Sequence, residues 1–227
     1  MKLLGLIGGT SYHSTLEYYR EINEKVSHSI GSSQNPELLL YSINIDVMRR
    51  QDENEINQTY LKVAQTLEQA GAEALMICAN TPHMSISFVQ PRIGIPFLHI
   101  ADAVGVAAKN AGYKNLLLLG NKPTMTRPFL KSYLVENYDL QILIPDEENI
   151  AESHYFVSKE LTQGHFTSEA IQFYMKLIST FESKVDAVIL GCTELPILLK
   201  NENTRLPFLK TTDLHIQMAI DYILTET

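Results

Sequence analysis

The sequence predicts an α/β protein made of parallel sheets with helices on both faces, and three observations carry that expectation. Short strand-like segments such as 3–7, 74–77, 116–119 and 185–190 are apolar throughout rather than alternating. A strand hidden on both faces needs no polar side. These segments alternate with amphipathic helix-like stretches along the whole chain, which is the pattern of a helix-covered parallel sheet. Landmarks of the first half also recur in the second at nearly constant spacing. Gly8 and Gly120 are 112 residues apart (120 − 8), Pro96 and Pro207 are 111 apart (207 − 96), and Cys78 and Cys192 are 114 apart (192 − 78). Recurrence at a fixed spacing is the mark of internal duplication. The expected architecture is therefore two related lobes, residues 1–101 plus 211–227 and residues 102–210. Each lobe would hold a parallel four-stranded sheet. The lobes would be related by a pseudo-two-fold axis, with the active site in the interdomain cleft.

The elements follow in order. Residues 3–7 form the first strand, and Gly8-Gly9-Thr10-Ser11 turns the chain. Ser14 or Thr15 can cap the next helix, with Leu16, Tyr19, Ile22 and Val26 near helical spacing. Residues 38–45 read as a strand and 46–54 as a polar connection holding Arg49 and Arg50. Residues 55–70 read as a helix closed by Gly71. The third strand, 74–77, leads into Cys78, and a helix is expected from Pro82. Residues 95–100 are the fourth strand, and Asp102 opens a helix. The second half repeats the scheme. Strands are expected at 116–119, 140–144, 185–190 and 206–209, and helices from the turn at 120–124 to 137, over 148–161, over 167–182 and over 213–224. Tyr18 and Tyr19 both read as core.

Composition excludes several classes. The chain has 227 residues, 45% hydrophobic and 19% charged, which is ample material for a core. Its formal charge of −8, with no Lys/Arg run, argues against a nucleic-acid partner, because phosphate neutralisation needs a basic face. The apolar N-terminal run is too short and too quickly followed by Gly and polar residues for a secretion signal. No run approaches the roughly 18 apolar residues of a membrane span. The cytoplasm is the expected compartment, where two cysteines are free thiols rather than a disulfide. No Cys-x-x-Cys or His-x-x-x-His spacing offers a zinc site.

The chemistry centres on Leu75-Met76-Ile77-Cys78-Ala79-Asn80-Thr81-Pro82-His83 and its counterpart Val188-Ile189-Leu190-Gly191-Cys192-Thr193-Glu194-Leu195-Pro196. Ligands of parallel sheets bind outside the carboxyl ends of the strands, and both cysteines stand at such ends. Two opposed thiols suit proton transfer across a single carbon. A thiolate removes a proton from one face, and a thiol returns one from the other. A free thiol titrates near ~8.5, and a helix start just after each cysteine is expected to lower that value. Read singly, either cysteine also fits a small buried hydrophobe. Asn80, Thr81 and Thr193 bring donors that can hold a carboxylate at the helix starts. Plain N-capping by Thr81 and Thr193 fits equally. Thr10, Ser11 and Thr124 lie at the two first-strand turns and are expected to line the same cleft. Arg49 or Arg50 can pair with a distal carboxylate, or be solvated. Glu194 can orient an ammonium or favour a helix start. His83 and His215 could each tune a thiol but read first as surface or capping residues, and Asp46 and Asp102 read as candidates for ordering the cleft.

Together these motifs resemble the aspartate/glutamate racemase family, which works without pyridoxal phosphate. The matching pieces are Gly5-Leu6-Ile7-Gly8-Gly9-Thr10-Ser11 with Ser14-Thr15 and Tyr18-Tyr19, Cys78-Ala79-Asn80-Thr81-Pro82-His83, and Ile95-Pro96-Phe97-Leu98-His99-Ile100-Ala101-Asp102. Further on come Leu119-Gly120 with Thr124-Met125, Glu160-Leu161 with Gly164, and Gly191-Cys192-Thr193-Glu194. The resemblance implies two Rossmann-like (flavodoxin-like) lobes, a homodimer, and two-base racemisation of an amino acid without metal or cofactor. It implies Cys78 and Cys192 as the acid/base pair, and Asn80, Thr81, Thr124 and Thr193 as ligands of the substrate's α-carboxylate or amine. Three positions depart from the family pattern. Thr10 stands where Met is usual, and Pro82 where Met or Ala is usual. Gln163 stands where aspartate-preferring members often carry Lys, which opens the substrate to aspartate, glutamate or a related amino acid. A decarboxylase, a cis–trans isomerase and a non-catalytic amino-acid-binding protein are the alternatives. Retention of both cysteines favours racemisation, since the decarboxylase relatives keep one. A Cys/His hydrolase would need a histidine beside a thiol, which spacing does not supply.

Overall fold

The structure is a computed structural model and describes residues 1–225. The chain packs as two compact units, residues 1–99 with the C-terminal stretch from His215, and residues 100–214.

In the first unit, β1 (Leu4–Gly8), β2 (Leu38–Ser42), β3 (Ala74–Ile77) and β4 (Phe97–Leu98) form one sheet in the order β2-β1-β3-β4. All pairings are parallel, with Leu4 beside both Leu38 and Ala74, and Met76 beside Leu98. Every residue of β1 and β3 is buried, as the unbroken apolar runs require. Side chains alternate between the two faces of a strand, so each face builds its own core. Ile7, Leu75 and Ile77 pack with Ile56, Tyr60, Val63 and Leu67 of α3 (Glu53–Gln69). Leu4, Leu6 and Met76 pack with Tyr18, Ile22 and Val26 of α1 (Tyr12–Ile30). Both helices start on a side-chain cap: Ser11 accepts from Ser14 N–H, and Asp52 from Glu55 N–H. Gly9 at the β1–α1 turn has φ +94°, and a Cβ there would sit 2.1 Å from the Ile43 carbonyl oxygen. Only glycine fits. The short α2 (Asp46–Arg49) occupies part of the connection expected to be polar loop.

After β3 the expected single helix is replaced by a 3₁₀ turn (Thr81–Ser85), α4 (Ile86–Val89) and a second 3₁₀ turn (Gln90–Arg92). Two prolines, Pro82 and Pro91, remove backbone donors and split the segment. β4 is trimmed to two residues for the same reason, since Pro96 immediately precedes it.

The second unit repeats the topology. β5 (Asn115–Leu119), β6 (Gln141–Leu143), β7 (Ala187–Leu190) and β8 (Phe208–Lys210) form a parallel sheet in the order β6-β5-β7-β8. α5 (Ile100–Ala111) and α7 (Pro128–Tyr138) cover one face, on Leu116, Leu118, Ala187 and Ile189. α9 (Ser168–Ser179) covers the other, on Leu117, Leu119, Val188 and Leu190. The short α6 (Lys122–Thr126) follows β5. α8 (Glu147–Tyr155) continues as a π turn (Phe156–Glu160) and a 3₁₀ turn (Leu161–Gln163), closed by Gly164 at φ +79°. The four-residue α10 (Leu195–Leu198) follows β7, and α11 (Thr211–Leu224) closes the chain. Ile216, Ala219, Ile220 and Ile223 of α11 join Leu4, Leu6 and Met76.

The strand register refines the duplication. Ile7 pairs with Ile77 and Leu119 with Leu190, and the next N–H groups, Cys78 and Gly191, donate to Ile7 O and Leu119 O. Cys78 is thus the counterpart of Gly191. Cys192 lies one residue further along than its relative, so the 114-residue spacing of the cysteines is not the repeat of the strands. Cys78 packs with Met76 on the face covered by α1, whereas Cys192 packs with Leu190 on the face covered by α9. No helix among the described residues is long and apolar enough to cross a membrane.

Candidate active site

In the first unit the site begins at Cys78. Its N–H is fixed to Ile7 O at 2.9 Å, and its carbonyl accepts from Ser14 Oγ at 2.8 Å. The thiol is free and 1% exposed. Burial pushes it well above its ordinary value, because a thiolate there would lose its hydration. That overturns the expected lowering by a helix start: only a five-residue 3₁₀ turn follows, and it carries little dipole.

The turn after Cys78 is locked from behind. His83 Nδ1 lies 2.8 Å from Ala79 O and 3.1 Å from Asn80 O. Carbonyl oxygens only accept, so Nδ1 carries the proton. His83 is buried rather than at the surface, and its ring meets those of His99 at 4.9 Å and His215 at 5.4 Å. His215 is also buried. Its Nε2 donates to Leu98 O at 2.8 Å, so its Nδ1 accepts from Tyr18 O–H at 3.0 Å. Burial lowers all three histidines, His99 to about 4, His215 to about 3 and His83 well below the ordinary range. They are neutral, and the surface reading of His83 and His215 is corrected.

Polar side chains follow the thiol in its own turn and stand on the neighbouring turns. Asn80 is 7% exposed, yet its side-chain oxygen is buried with no hydrogen bond among the described residues. Asn80 precedes the 3₁₀ turn without capping it through its side chain. Thr81 is half-buried at the first position of that turn. On the neighbouring turn, Thr10 Oγ1 lies 2.9 Å from the hydroxyl of fully buried Tyr60, and Ser11 caps α1. Arg50 is held by Asp46 at 3.3 Å and Glu55 at 2.7 Å. Arg49 is exposed at the end of α2, and among the described residues it makes no ion pair. Asp46 is spent on Arg50.

In the second unit Cys192 is a free thiol, 8% exposed. Its Sγ–H donates to Glu194 Oε2 at 2.7 Å. Burial first, and then the charge of Glu194, push this thiol well above its ordinary value. Glu194 therefore holds the thiol's proton, a role that neither expected reading gave it. Thr193 is half-buried, and its side chain makes no hydrogen bond among the described residues. Thr124 is fully buried in α6. Its N–H is capped by Asn121 Oδ1 at 2.9 Å, while its Oγ1 has no partner among the described residues. Thr212 Oγ1, at the start of α11, is likewise buried and unpartnered there. Gln163 is exposed at the end of its 3₁₀ turn, reaching only Thr162 Oγ1 at 3.5 Å. Asp102 accepts from Tyr138 O–H at 2.8 Å, tying α5 to α7.

Sequence reasoning gave Ser14 only the role of a helix cap, a place that Ser11 takes, and it missed Tyr60, Ser153, Tyr174 and Thr212. Ser14, Tyr60, Ser153 and Tyr174 make hydrogen bonds set by packing across elements, which residue spacing does not reveal. Tyr19, expected in the core, is 46% exposed, because position 18 and not 19 faces the sheet. Among the described residues no group of three or more His, Cys, Asp or Glu side chains is placed to hold a metal ion.

Each of the two sheets, built on one topology, carries a buried free thiol just past the end of its third strand, and each unit holds a buried amide or hydroxyl oxygen unpartnered among the described residues, Asn80 Oδ1 in one and Thr124 Oγ1 in the other. The comparisons with known proteins supply the class. The model of the Asp/Glu/Hydantoin racemase family matches residues 7–219, and the chain belongs to that family. The chain is 20% identical over 215 residues to the broad specificity amino-acid racemase RacX of Bacillus subtilis (strain 168), covering 92% of this chain and 93% of that one. Among solved structures it is similar to a Yersinia pestis protein described as a candidate Asp/Glu racemase. That match has a TM-score of 0.94 at 33% identity and covers 99% of this chain and 100% of the other. It is also similar to an aspartate racemase homologue from Pyrococcus horikoshii OT3, with a TM-score of 0.87 at 32% identity and the same coverage.

Proposed function

We propose that this chain is a cofactor-independent isomerase that interconverts the L and D forms of aspartate, glutamate or a related amino acid, with Cys78 and Cys192 as its two acid/base groups. The observation that carries the reading is the pair of buried free thiols, one at the end of each third strand, with the unpartnered Asn80 Oδ1 in one unit and Thr124 Oγ1 in the other. In this reading one sulfur, as thiolate, removes the α-proton. The C–H electron pair stays on the carbon and spreads into the α-carboxylate. The S–H of the other cysteine then protonates the opposite face, and the reverse reaction exchanges the roles. Both thiols rest protonated because burial disfavours the charged form. The ammonium of a bound substrate is the compensating charge that makes a thiolate accessible. Glu194 accepts the Cys192 proton when that cysteine must act as base.

Asn80, Thr81, Thr124 and Thr193 are the groups we assign to the α-carboxylate and α-ammonium, with Thr10, Ser11 and Gln163 toward the substrate side chain. Arg49 is the cation available for a distal carboxylate. The same reading places the protein in the cytoplasm as a homodimer. The broad specificity stated for RacX supports keeping the substrate class wide.

The test is incubation in deuterated water with a panel of L-amino acids. Racemisation by this route puts one deuterium on the α-carbon as optical rotation decays. Cys78→Ser and Cys192→Ser should each abolish racemisation, while either can still exchange the α-proton of one enantiomer. Normal racemisation by both single variants would overturn the two-thiol mechanism. Tight binding with no exchange would point to a non-catalytic binding protein.

A further inference from the structure

Each unit buries one tyrosine completely on the helix that precedes its cysteine strand: Tyr60 on α3 and Tyr174 on α9. Each stands 18 residues before its cysteine (78 − 60 and 192 − 174). Each phenol bonds to a hydroxyl associated with the turn after the first strand of its sheet. The hydrogen accounting at the two places differs.

In the second unit the protons of both hydroxyls, Ser153 and Tyr174, are consumed. Ser153 Oγ donates to Gly120 O at 2.8 Å. Tyr174 O–H lies 2.8 Å from Ser153 Oγ and donates to Ser153 O at 3.2 Å. Two protons meet carbonyl or hydroxyl acceptors inside the protein, and both residues are buried. The network is closed.

In the first unit two hydroxyls share a single bond, Thr10 Oγ1 to Tyr60 Oη at 2.9 Å, and neither makes another among the described residues. Two protons are present and one is used. Tyr60 is fully buried, so leaving its proton unpaired would cost the desolvation of an O–H group. Thr10 is partly exposed and carries no such constraint. Tyr60 is therefore the donor and Thr10 the acceptor. That leaves the Thr10 hydroxyl proton directed away from Tyr60 and able to donate to an oxygen atom.

We propose that Tyr60 is a positioning residue that turns Thr10 into an oriented hydrogen-bond donor, and that this donor selects substrates carrying an acceptor oxygen in the side chain. The inference rests on the racemase reading and deepens it. Asn80 and Thr81 belong to the turn of Cys78 itself, so they meet the groups on the reacting carbon. Thr10 is on the turn after β1, the strand beside β3, roughly 4.8 Å away. Placed one strand over from the turn of Cys78, Thr10 is the donor offered to the substrate's side chain rather than to the groups on its reacting carbon. A side-chain contact does not change as the α-proton leaves. It therefore contributes equally to ground and transition states and shows in KM rather than kcat.

The variants are Thr10→Val, which keeps the shape and removes the hydroxyl, and Tyr60→Phe, with Tyr174→Phe as the control. Substrates are aspartate and asparagine against leucine, which matches their branching without an oxygen. KM and kcat are measured for each, and affinity by thermal shift. Thr10→Val should raise KM for aspartate about ten- to a hundredfold, the worth of one hydrogen bond to a charged group. It should leave leucine unchanged and kcat nearly so, and Tyr60→Phe should move the same ratio in the same direction. Tyr174→Phe should lower stability without moving the ratio. An unchanged aspartate-to-leucine ratio in Thr10→Val overturns the proposal, and so does a uniform loss across all three substrates, which would assign Thr10 to the α-carboxylate. Should Tyr60→Phe not fold, Thr10→Val still decides. A wild-type protein that binds amino acids without racemising them would sink the racemase reading. The affinity ratio would still score Thr10.

Discussion

The three buried histidines of the first unit make stability depend on pH in a calculable way. The perturbation is acidification from pH 7.5 to pH 5. His99 and His215 have folded-state values of about 4 and about 3 against 6.5 for a solvated imidazole, and His83 is also well below 6.5. Between these limits the unfolded chain binds protons that the folded chain refuses. Unfolding takes up protons, so stability rises with pH. Above 6.5 the effect is absent, and it grows as pH falls toward the folded values. At about 1.4 kcal/mol per pH unit, His99 and His215 each cost about 2 kcal/mol at pH 5, together about 4 kcal/mol, and His83 adds in the same direction. Ordinary domains have only about 5–15 kcal/mol in all, so the loss is a large share of it. The assay is urea unfolding at half-unit steps, followed by far-UV circular dichroism. Below pH 6.5 the slope should approach two protons or more, about 3 kcal/mol per pH unit at the least. His99→Gln should reduce it by about one proton, provided the variant folds to the same far-UV spectrum. A flat profile between pH 6.5 and 5, or one unaltered by His99→Gln, would refute the claim that these rings are held neutral by burial.

Four further outcomes follow from the site. Glu194→Gln should make Cys192 alkylate faster at a given pH, because the carboxylate charge is the second cause, after burial, of its raised value. An unshifted pH–rate profile for iodoacetamide, read by mass spectrometry at Cys192, would remove Glu194 from its role. Ser14→Ala deletes the hydrogen bond to the Cys78 carbonyl and should cost about 1–2 kcal/mol in chemical denaturation. It should also lower kcat, since the thiol's turn loses its anchor. Gly9→Ala must place a Cβ 2.1 Å from Ile43 O at φ +94° and should cost about 3 kcal/mol or more, read as a lower Tm. Tyr18→Phe removes the donor to His215 Nδ1 and should cost about 1–2 kcal/mol. An unchanged denaturation midpoint would show the bond contributes nothing.

Much of this fold was legible because its strands are buried on both faces. Uninterrupted runs such as 116–119 cannot be anything but interior, whereas the side-chain caps at Asp52, Asn121, Asp146 and Thr167 emerge only from the structure. Proline broke the reading where it mattered. Pro82 and Pro91 turned an expected helix into three short pieces, and Pro96 shortened β4. The cysteines were found from strand ends, but their electrostatics were not, because burial outweighs a short helix start and no spacing rule measures burial. The bonds of Ser14 and Ser153 to distant carbonyls were not legible for a related reason. Each satisfies a carbonyl 64 or 33 residues distant in sequence, and only the packed structure brings them together.

The one-residue slip between the cysteines gives the two thiols different chemistry, and that difference constrains how a two-thiol racemase could behave. Cys78 leaves its strand end toward the α1 face, with its carbonyl anchored and no acidic side chain bonded to its sulfur among the described residues. Cys192 leaves toward the α9 face and donates a hydrogen bond to Glu194. Enantiomers have equal free energy, so kcat/KM in the two directions must be equal at every pH whatever the thiols do. The asymmetry can appear only within each direction, as kcat and KM moving together, and in the exchange of each enantiomer with solvent. The direction in which Cys192 is the base has a carboxylate to receive its proton, and the direction using Cys78 does not. Alpha-proton exchange by Cys78→Ser should therefore change when Glu194→Gln is added, while exchange by Cys192→Ser should not. Equal effects of Glu194→Gln on the two single variants would mean that the slip leaves no mark on the reaction.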